Sequence, residues 1–488
     1  MKNLSPEKFL LQKQNPFAKA IITSSLSYTF DELNTKLSGT AYHLKDQNIS
    51  AGDRVGIIGK NDADFVINIL ALWQLSAIPV PLNNRLSENE IEEQLKLADC
   101  SSVLLQKELA QNLKNINKKI ILYPTQITEK KSFIGRKELN LAEAAVIIFT
   151  SGTSNKSKGI ILSFKSLFNS AINSNQLLRY TRSDRWLASL PFYHVGGFSI
   201  ITRSLLFGIP LIIPDSLSTE VIKESLSKWQ PTFVSLVAAQ LKKLIDEGVT
   251  PNPELKNCLI GGGFSDYELV RKAYELGWSV NIVYGSTETS SFVTALLKDE
   301  IIIKPNSAGR AVPTNEIFIV DDEGNDLKPF EIGEIIIRSN ALMSGYLYED
   351  ETNQVIKNGF YHTGDIGYLD EDGYLFIEGR KNFLISTGGE NVNPIEVEKA
   401  LLQHSLIAEA AVFPLKDQEW GEIIAAAVVI KDKSTKISYD ELKKFLQDKI
   451  SGFKIPKKIF FEAQLPKTEL GKIEKDKLIS RYKLTSLW

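Results

Sequence analysis

The sequence predicts an α/β protein in which a large N-terminal domain, built from two α/β subdomains and a small β-barrel-like region, precedes a small α+β C-terminal domain. Up to about residue 307, short apolar runs alternate with amphipathic segments of helix length, which is typical of parallel strands joined by crossover helices. Beyond residue 307, turn sequences separate the apolar segments, which is typical of antiparallel strands. A chain of 488 residues with 43% hydrophobic content is long enough for more than one core.

Two series of strands are expected in the large domain. The first has strand-like runs at residues 54–58, 78–82, 101–105 and 119–123, with a helical segment at residues 62–75. The second follows residue 144, with runs at residues 186–190, 209–213, 233–237, 258–260 and 280–284. Each series predicts one sheet, and ligands bind such sheets in the crevice at the carboxyl ends of the strands.

The antiparallel part begins with strands at residues 316–320 and 334–338 and a hairpin around Asp370–Gly373. The C-terminal module has helices at residues 395–403 and 439–450 and strands at residues 408–414 and 423–430. We therefore expect an N-terminal domain of residues 1–381 and a C-terminal domain of residues 382–488.

Charge and cysteine content narrow the function classes. Lys and Arg number 57 against 59 Asp and Glu, so a net charge of -2 argues against nucleic acid or an anionic membrane as partner. Cys100 and Cys258 are the only cysteines, and with four scattered histidines they suggest neither a disulfide framework nor a metal site. No run approaches the roughly 20 apolar residues that span a bilayer. A reducing cytoplasm is the expected location.

The segment Phe149–Gly159 is the leading candidate for a binding loop. It follows an apolar run at residues 144–149 and precedes a helical pattern at residues 163–178, so it is predicted to join a strand to a helix. Its hydroxyls, glycines and lysines are suited to surround a polyphosphate. It is not a Walker A loop, because Ser157 stands where that motif needs glycine. From the residues alone, an exposed polar loop stays open as an alternative.

The same segment resembles the T-S-G-T-[ST]-G-x-P-K-G signature of the adenylate-forming superfamily, which contains acyl-CoA synthetases, luciferases and peptide-synthetase adenylation domains. Asn155 and Ser157 replace the glycine and proline of the signature. The resemblance implies an ATP-binding loop formed by Thr150, Ser151, Gly152, Thr153, Ser154 and Lys158.

A second matched motif is Y-G-x-T-E at residues 284–288. The resemblance implies that Tyr284 stacks on adenine beside Gly285, that Thr287 contacts the α-phosphate, and that Glu288 binds Mg²⁺. One carboxylate suffices for this cation, because the phosphates supply most of its oxygen ligands. The segment Gly261–Gly263 would let the backbone lie against adenine and the acyl group. A helix cap and a mobile turn are the structural alternatives for these two segments.

Three further residues match positions with assigned roles. By resemblance, Asp365 accepts the ribose hydroxyls, Arg380 assists it, and Lys472 in L-P-x-T-x-x-G-K-[IV] stabilises charge at the α-phosphate. An aspartate in a turn is often only structural, and a lysine near a C-terminus is usually solvated.

The segment after Arg380 matches the hinge of the superfamily. There the small domain rotates between the adenylation and thioester-forming states, which makes the C-terminal domain mobile. Asn382 stands at the hinge, where relatives carry Asp or Lys, and Phe383 replaces a residue that is often acidic. Gly388 and Gly389 match the segment that lines the CoA tunnel; a glycine turn before a helix is the alternative.

The acid to be activated is suggested by residues 194–208. His194 and Arg203 lie in patterns, H-V-G-G-[FL]-S-I and R-S-L-L-[FY]-G, that are similar to o-succinylbenzoate:CoA ligases of menaquinone synthesis. Their substrate has two carboxylates, and Arg203 would pair with the one that is not activated. His194 can also be an interior histidine, and Arg203 can instead reach water or pair with an internal acid.

We therefore expect an AMP-forming acid:thiol ligase that uses ATP, Mg²⁺ and CoA on a small carboxylic acid. The matched segments occur in one order from Thr150 to Lys472. Another acyl- or aryl-CoA synthetase, a peptide-synthetase adenylation domain and a non-catalytic ATP-binding relative remain as alternatives. The sequence leaves the oligomeric state open, a homo-oligomer included.

Overall fold

The computed structural model describes residues 15–111, 113, 116–124, 133, 135–136, 138–151, 157–263, 266–381, 385–387, 390–417, 420–432, 437–468 and 471–483. The chain forms two compact units. The first contains Met1–Glu316 and Arg338–Tyr361, and the second contains Ile317–Ile337 and His362–Trp488. The domain boundary expected between residues 381 and 382 stays a prediction.

The helices of the described residues are α1 (Phe30–Asp46), α2 (Ala63–Gln74), α3 (Glu88–Leu97), α4 (Phe164–Leu178), α5 (Val195–Phe207), α6 (Thr219–Trp229), α7 (Ala238–Asp246), α8 (Tyr267–Glu275), α9 (Glu349–Val355), α10 (Pro394–Leu402), α11 (Tyr439–Gln447) and α12 (Lys475–Lys483).

The strands of the first half are β1 (Lys19–Ile22), β2 (Ser27–Thr29), β3 (Arg54–Ile58), β4 (Ile78–Leu82), β5 (Ser102–Gln106), β6 (Lys119–Tyr123), β7 (Ala144–Ser151), β8 (Ser157–Ser163), β9 (Trp186–Leu187), β10 (Leu211–Ile212), β11 (Phe233–Leu236) and β12 (Asn257–Ile260). Those of the second half are β13 (Val280–Ser286), β14 (Ser291–Leu296), β15 (Arg310–Ala311), β16 (Asn315–Val320), β17 (Gly333–Ser339), β18 (Gly345–Tyr346), β19 (Ile356–Lys357), β20 (Phe360–Leu369), β21 (Leu375–Arg380), β22 (Ile385–Thr387), β23 (Glu390–Val392), β24 (Ile407–Asp417), β25 (Gly421–Ile430) and β26 (Lys458–Glu462).

The two predicted parallel sheets are present. One has the order β4-β3-β5-β6, and all its neighbours are parallel. The other has the order β15-β14-β13-β12-β11-β9-β10-β1-β2 and is parallel from β13 to β1. Its outer strands β2, β14 and β15 are antiparallel. The α/β class is confirmed.

The prediction that residues 149–159 join a strand to a helix was wrong. β7 turns back through an antiparallel hairpin into β8, with Thr150 opposite Lys158, and β18 pairs with the other side of β8. The apolar run of β8 includes two isoleucines, which favour a strand between two partners. α4 begins only after Ser163, whose Oγ accepts a 3.1 Å hydrogen bond from the amide of Ser166.

The remaining strands form two further sheets. One has the order β16-β17-β20-β19, with β21 also paired to β20. The expected hairpin lies between β20 and β21, where Oδ1 of Asp370 accepts hydrogen bonds from the amides of Asp372 and Tyr374. The other has the order β23-β22-β25-β24, with β26 parallel to β25, and carries the α+β pattern expected of the C-terminal module.

An aromatic cluster in the core of the first unit fixes α5. Trp73 makes edge contacts with Phe164 at 5.1 Å and with Phe198 of α5 at 6.2 Å, and its indole N–H donates to the carbonyl of Ala145. Every residue of α5 from Gly197 to Phe207 is buried. A helix enclosed in this way holds its side chains in defined positions. Among the described residues, none of the helices combines the length and apolarity needed to cross a membrane.

Candidate active site

The hairpin of β7 and β8 places Lys158 against Tyr346. Nζ of Lys158 lies 4.9 Å from the centre of the Tyr346 ring and 3.8 Å from Oε1 of Glu351. Both arrangements restrain the Lys158 cation, which lies opposite Thr150 in the pairing of β7 and β8. Thr150 is described with it, whereas Gly152, Thr153 and Ser154 lie outside the described residues, and of Ser151 only the backbone is described.

The motif at residues 284–288 covers the end of β13 and the start of the tight loop that leads to β14. Oγ1 of Thr289 accepts the amide of Ser286 at 2.9 Å and donates to the carbonyl of Ser291 at 2.7 Å. A Cβ on Gly285 would lie 2.0 Å from that carbonyl oxygen, so only glycine fits. Thr287 is buried in this loop.

Glu288 is held by two hydrogen bonds from one segment. Oη of Tyr346 donates to Oε1 of Glu288 at 2.8 Å, and the amide of Met343 donates to the Glu288 carbonyl at 2.7 Å. Burial, followed by the nearby charge of Glu288, raises the pKa of Tyr346, so the phenol keeps its proton and is the donor.

The oxygen donors of this loop are of the kind that Mg²⁺ takes. Glu288 supplies a carboxylate and Thr287 a hydroxyl, and Mg²⁺ is commonly bound by one or two carboxylates together with substrate phosphates. Within the described part of the chain there is no group of three or more His, Cys, Asp or Glu side chains that could hold a metal ion. The residues present fit a magnesium ion that arrives with a nucleotide.

The first glycine after β12 packs against the strand that carries Tyr284. A Cβ on Gly261 would lie 2.8 Å from Cγ2 of Val283 and 3.3 Å from its carbonyl oxygen. Gly262 has a φ of +83°, which favours glycine. Gly261 therefore lies close against β13, and the positive φ accounts for Gly262.

In the second unit, Asp365 and Arg380 face each other across β20 and β21. Nε of Arg380 donates a 2.6 Å hydrogen bond to Oδ1 of Asp365, and the Asp365 amide donates to Oγ1 of Thr363 at 2.9 Å. Asp365 is buried. A charge-assisted bond to a buried carboxylate fixes the direction of both of its oxygens.

Lys472 belongs to the same electrostatic environment. Its carbonyl accepts the amide of Thr468 at 2.8 Å, which closes a turn at Gly471. The residue as a whole is exposed, but the surrounding chain partly desolvates its ammonium group. This desolvation, and next the cation of Arg380, lower the pKa of Lys472, while Asp365 opposes them. The second unit therefore brings together three predicted site residues. Asn382, Phe383, Gly388 and Gly389 lie outside the described residues.

His194 stands directly before α5, where its carbonyl accepts the amide of Phe198 at 2.8 Å. Its ring makes an edge contact with Tyr193 at 4.7 Å, and the side chain is half-buried. A Cβ on Gly197 would lie 2.0 Å from the carbonyl oxygen of Pro191, so the turn into α5 requires this glycine.

Asn61 is a positioning residue that the sequence did not reveal. Its Nδ2 donates to the carbonyl of Leu190 at 2.8 Å, and its Oδ1 accepts the amide of Phe192 at 2.9 Å. One side chain from the loop after β3 thereby clamps the segment that leads to His194. The only sequence signal was an amide side chain just past a predicted strand end.

Arg203 is buried with most of its donors unused. It is 2% exposed, and its Nη1 donates to Oγ of Ser199 at 3.0 Å. Its Nε and Nη2 have no hydrogen-bond partner among the described residues. The guanidinium lies 4.9 Å from the ring centre of Phe292 and 5.8 Å from that of Trp186. Burial lowers the pKa of Arg203, and the nearby phenol of Tyr180 opposes this.

These observations decide between the alternatives for Arg203. A guanidinium that is 2% exposed does not reach water, and within the described residues no carboxylate pairs with it. The buried Oγ of Ser290, in the loop before Phe292, also has no partner there. Unsatisfied buried donors are costly and rare in native proteins, and the donors of Arg203 remain available to an acceptor.

Comparison with known proteins gives the context of this site. A family model described as AMP-binding enzyme matches residues 11–347, and one described as AMP-binding enzyme C-terminal domain matches residues 396–472. A 2-succinylbenzoate–CoA ligase from Bacillus thuringiensis subsp. konkukian is 33% identical over 465 residues and 94% of each chain. One from Geobacillus sp. (strain WCH70) is 33% identical over 453 residues and 92% of each chain.

Solved structures with a similar fold belong to the same kind of enzyme as these relatives. The o-succinylbenzoate CoA synthetase from Bacillus subtilis in complex with the acyl-adenylate intermediate OSB-AMP has a TM-score of 0.90 and 30% identity, over 97% of this chain and 98% of that one. The same enzyme in complex with ATP and magnesium ion has a TM-score of 0.89 and 29% identity, over 97% of this chain and 99% of that one.

Proposed function

This chain belongs to the family of AMP-binding enzymes, and from that premise we propose that it is an AMP-forming 2-succinylbenzoate–CoA ligase. The predicted fold class and the resemblance to adenylate-forming enzymes are confirmed. ATP, Mg²⁺ and CoA are the reactants that the relatives' names and complexes indicate. Similarity over 94% of the chain supports the same reaction here.

The burial of Arg203 is the observation that carries the choice of acid. 2-Succinylbenzoate has an aromatic ring with one carboxylate and a succinyl chain with another. Only the succinyl carboxylate is activated, so the aromatic carboxylate enters the protein as an intact anion. Two donor nitrogens without partners, Nε and Nη2, lie beside Phe292 and Trp186 and suit an anion attached to a ring, because a guanidinium binds a carboxylate through paired hydrogen bonds.

The reaction proceeds in two steps. The succinyl carboxylate attacks the α-phosphorus of ATP and pyrophosphate leaves; the CoA thiol then attacks the acyl carbonyl and AMP leaves. In this proposal Lys472 and Thr287 stabilise the negative charge that develops at the α-phosphate. Asp365, oriented by Arg380, accepts the ribose hydroxyls. Glu288 would hold the magnesium ion of MgATP, which neutralises phosphate charge.

The remaining site assignments are proposals of the same kind. The phosphates are bound by Thr150 to Ser154 and Lys158. The adenine is contacted by Gly261 to Gly263 and Tyr284. The acid is bound next to His194. Asn382 is the hinge, and Gly388 and Gly389 line the CoA tunnel. The cytoplasmic location stays a prediction, as does the possibility of a homo-oligomer.

Formation of CoA thioester and AMP tests the proposal. The purified protein is supplied with ATP, Mg²⁺, CoA and one acid at a time: 2-succinylbenzoate, benzoate, a medium-chain fatty acid or acetate. We expect selective turnover of 2-succinylbenzoate. Arg203→Leu should reduce kcat/KM about 100-fold or more, because the second carboxylate loses its partner. Arg271→Leu, in an exposed arginine of α8 paired with Glu268, is the matched control.

The outcomes separate the parts of the proposal. Preference for a monocarboxylate, with Arg203→Leu unaffected, would remove the assigned acid and leave a ligase. No AMP with any acid would favour a non-catalytic ATP-binding relative. If the leucine variant has a lowered melting temperature, Arg203→Lys is used as a second variant, because it keeps the charge but not the paired donors.

A further inference from the structure

We infer that Tyr346 is a positioning residue that holds Glu288 and Lys158 in one fixed arrangement for MgATP, an inference that rests on the proposed use of MgATP. Tyr346 touches both residues directly, and they carry opposite charges with different tasks toward the nucleotide. No role was expected for it from the sequence.

The contact with Glu288 fixes the carboxylate. Oη of Tyr346 donates to Oε1 at 2.8 Å, while the amide of Met343 binds the Glu288 carbonyl at 2.7 Å. The main chain and the side chain of Glu288 are therefore both held by residues 343–346. Occupation of Oε1 sets the plane of the carboxylate and hence the direction in which Oε2 points.

The contact with Lys158 uses the ring of the same tyrosine. Nζ of Lys158 lies over the ring at 4.9 Å from its centre and pairs with Glu351 at 3.8 Å. Tyr346 stands opposite Ile160 in the pairing of β18 with β8, and the amide of Leu347 donates to the carbonyl of Gly159 at 2.9 Å. β18 is thus bonded to the strand that carries Lys158.

Tyr346 is itself firmly held. It is 7% exposed, and its amide donates to Oγ1 of Thr352 at 2.8 Å. Gly345 has a φ of +153°, and a Cβ there would lie 2.9 Å from the same Oγ1. Burial restricts the phenol, and the contacts with Thr352 restrain the backbone that carries it.

The arrangement keeps two opposite charges apart. A cation and a carboxylate placed in one pocket tend to pair with each other, and a pair of that kind would compete with binding of phosphate and of Mg²⁺. In the described structure Lys158 pairs with Glu351 and not with Glu288. The neutral phenol lies between them, offering its hydroxyl to the anion and its ring face to the cation.

Two substitutions separate the two contacts. Tyr346→Phe removes the hydroxyl and keeps the ring under Lys158, whereas Tyr346→Leu removes both. Tyr348→Phe, at an exposed tyrosine two residues away, is the matched control. Binding of MgATP and of metal-free ATP is measured by calorimetry without acid or CoA, and the Mg²⁺ dependence of adenylation is measured separately.

We expect Tyr346→Phe to weaken MgATP binding about tenfold, the scale of one hydrogen bond to a charged group. Binding of metal-free ATP should change less than twofold, and the Mg²⁺ concentration for half-maximal adenylation should rise. Tyr346→Leu should weaken both nucleotide forms because Lys158 loses its support. In a Glu288→Gln background, Tyr346→Phe should have little further effect, since the two residues act together.

Unchanged Mg²⁺ dependence in Tyr346→Phe, or an equal loss for both nucleotide forms, would overturn the inference. So would additive effects in the double variant. Because nucleotide binding is measured without acid, this failure is distinct from failure of the proposed acid, which shows as absent thioester formation in the unaltered protein. A lowered melting temperature in a variant identifies a general loss of structure. In that case the effect of Tyr346→Phe on the Mg²⁺ dependence of adenylation is compared with and without Glu288→Gln at saturating nucleotide, and this comparison decides the question.

Discussion

Nε of Arg380 donates a 2.6 Å hydrogen bond to Oδ1 of Asp365, its direct partner across β20 and β21. The bond joins a buried carboxylate to a fixed guanidinium one strand away. It leaves the carboxylate oriented by the sheet and not by a flexible loop. A side chain held in this way suits recognition of a diol, whose two hydroxyls need one acceptor pair in a set direction.

Removal of this carboxylate should abolish discrimination at the ribose. Asp365→Ala should raise KM for ATP at least tenfold, because the diol loses charged acceptors. The measurement compares ATP with 2′-deoxy-ATP and 3′-deoxy-ATP. The unaltered protein should prefer ATP, and the variant should treat all three alike. Asp372→Ala, in the exposed turn of the same hairpin, should behave as wild type; a persisting preference in Asp365→Ala would argue against ribose binding there.

Lys472 should serve one half-reaction only. Lys472→Ala should slow adenylation about 100-fold or more, because a cation at the developing charge is lost. Thiolation of supplied acyl adenylate should change little. Both rates are measured by rapid quench. Lys477→Ala, in an exposed lysine paired with Glu474, is the control, and comparable loss in both half-reactions would contradict the division of labour.

The alkaline limit of adenylation should report the environment of Lys472. In the proposed reaction its ammonium is the active form, and desolvation together with Arg380 lowers the pKa of Lys472, so activity should fall at a lower pH than for an ordinary lysine. Arg380→Leu removes a neighbouring cation, which favours the protonated form and raises the pKa. The alkaline limb should then move to higher pH. The pH–rate profile of adenylation tests this shift. Arg338→Leu, at an exposed arginine paired with Glu316, is the control. An alkaline limb that moves to lower pH in Arg380→Leu would refute the role assigned to Lys472.

Substitution of Asn61 should raise KM for the acid more than KM for ATP. Asn61→Ala removes both hydrogen bonds to the segment before His194, so KM for 2-succinylbenzoate should rise about three- to tenfold. KM for ATP should change less than twofold. Asn84→Ala, which loses a single bond to the carbonyl of Gly59 nearby, is the matched control. Equal increases in both KM values would mean that Asn61 supports the fold in general.

Asp184 should contribute stability that depends on pH. Burial by itself raises the pKa of Asp184, but hydrogen bonds from Lys256 and Thr181 outweigh burial and lower it below the ordinary value. Asp184→Asn should reduce the free energy of unfolding by about 2–3 kcal/mol. Since the folded pKa is lowered, the difference is full above about pH 4 and shrinks as the pH falls through the folded pKa.

Urea unfolding between pH 7 and pH 3 measures this difference. Asp246→Asn, in an exposed pair with Lys242, should cost less than about 0.5 kcal/mol. A loss for Asp184→Asn that does not change with pH would show that the charge of the aspartate is not what stabilises the fold.

The sequence was sufficient where structure is local. The bounds of β3, β4 and β6 agree with the predicted strands, because each is a short apolar run with clear turns on both sides. The hairpin of β7 and β8 was missed because Ser157–Gly159, the start of β8, has the composition of a loop, and its pairing with β7 depends on the fold. Gly285 was known from a motif, but the carbonyl that requires it belongs to another strand.

Candidate site residues could be named from the sequence, whereas the contacts between them could not. Motifs suggested Glu288, Asp365 and Lys472, whose roles stay predictions, whereas the hydrogen bonds of Tyr346 and Asn61 join residues that lie 58 and 131 positions apart in sequence. No local pattern encodes such distances. The unused donors of Arg203 likewise depend on which side chains surround α5, and that is decided by packing of the whole first unit.

Because the guanidinium of Arg203 has unsatisfied donors, the melting temperature of the protein should depend on which acid is bound. An acid that completes its hydrogen bonds binds the folded chain and not the unfolded one, and at 100 times its Kd such a ligand adds about 2.7 kcal/mol of stability. A shift of the melting temperature therefore ranks candidate acids without ATP, CoA or turnover. The protein should have its highest melting temperature with dicarboxylates that place an anion against Phe292. The melting temperature of the protein alone therefore reports which acid it binds.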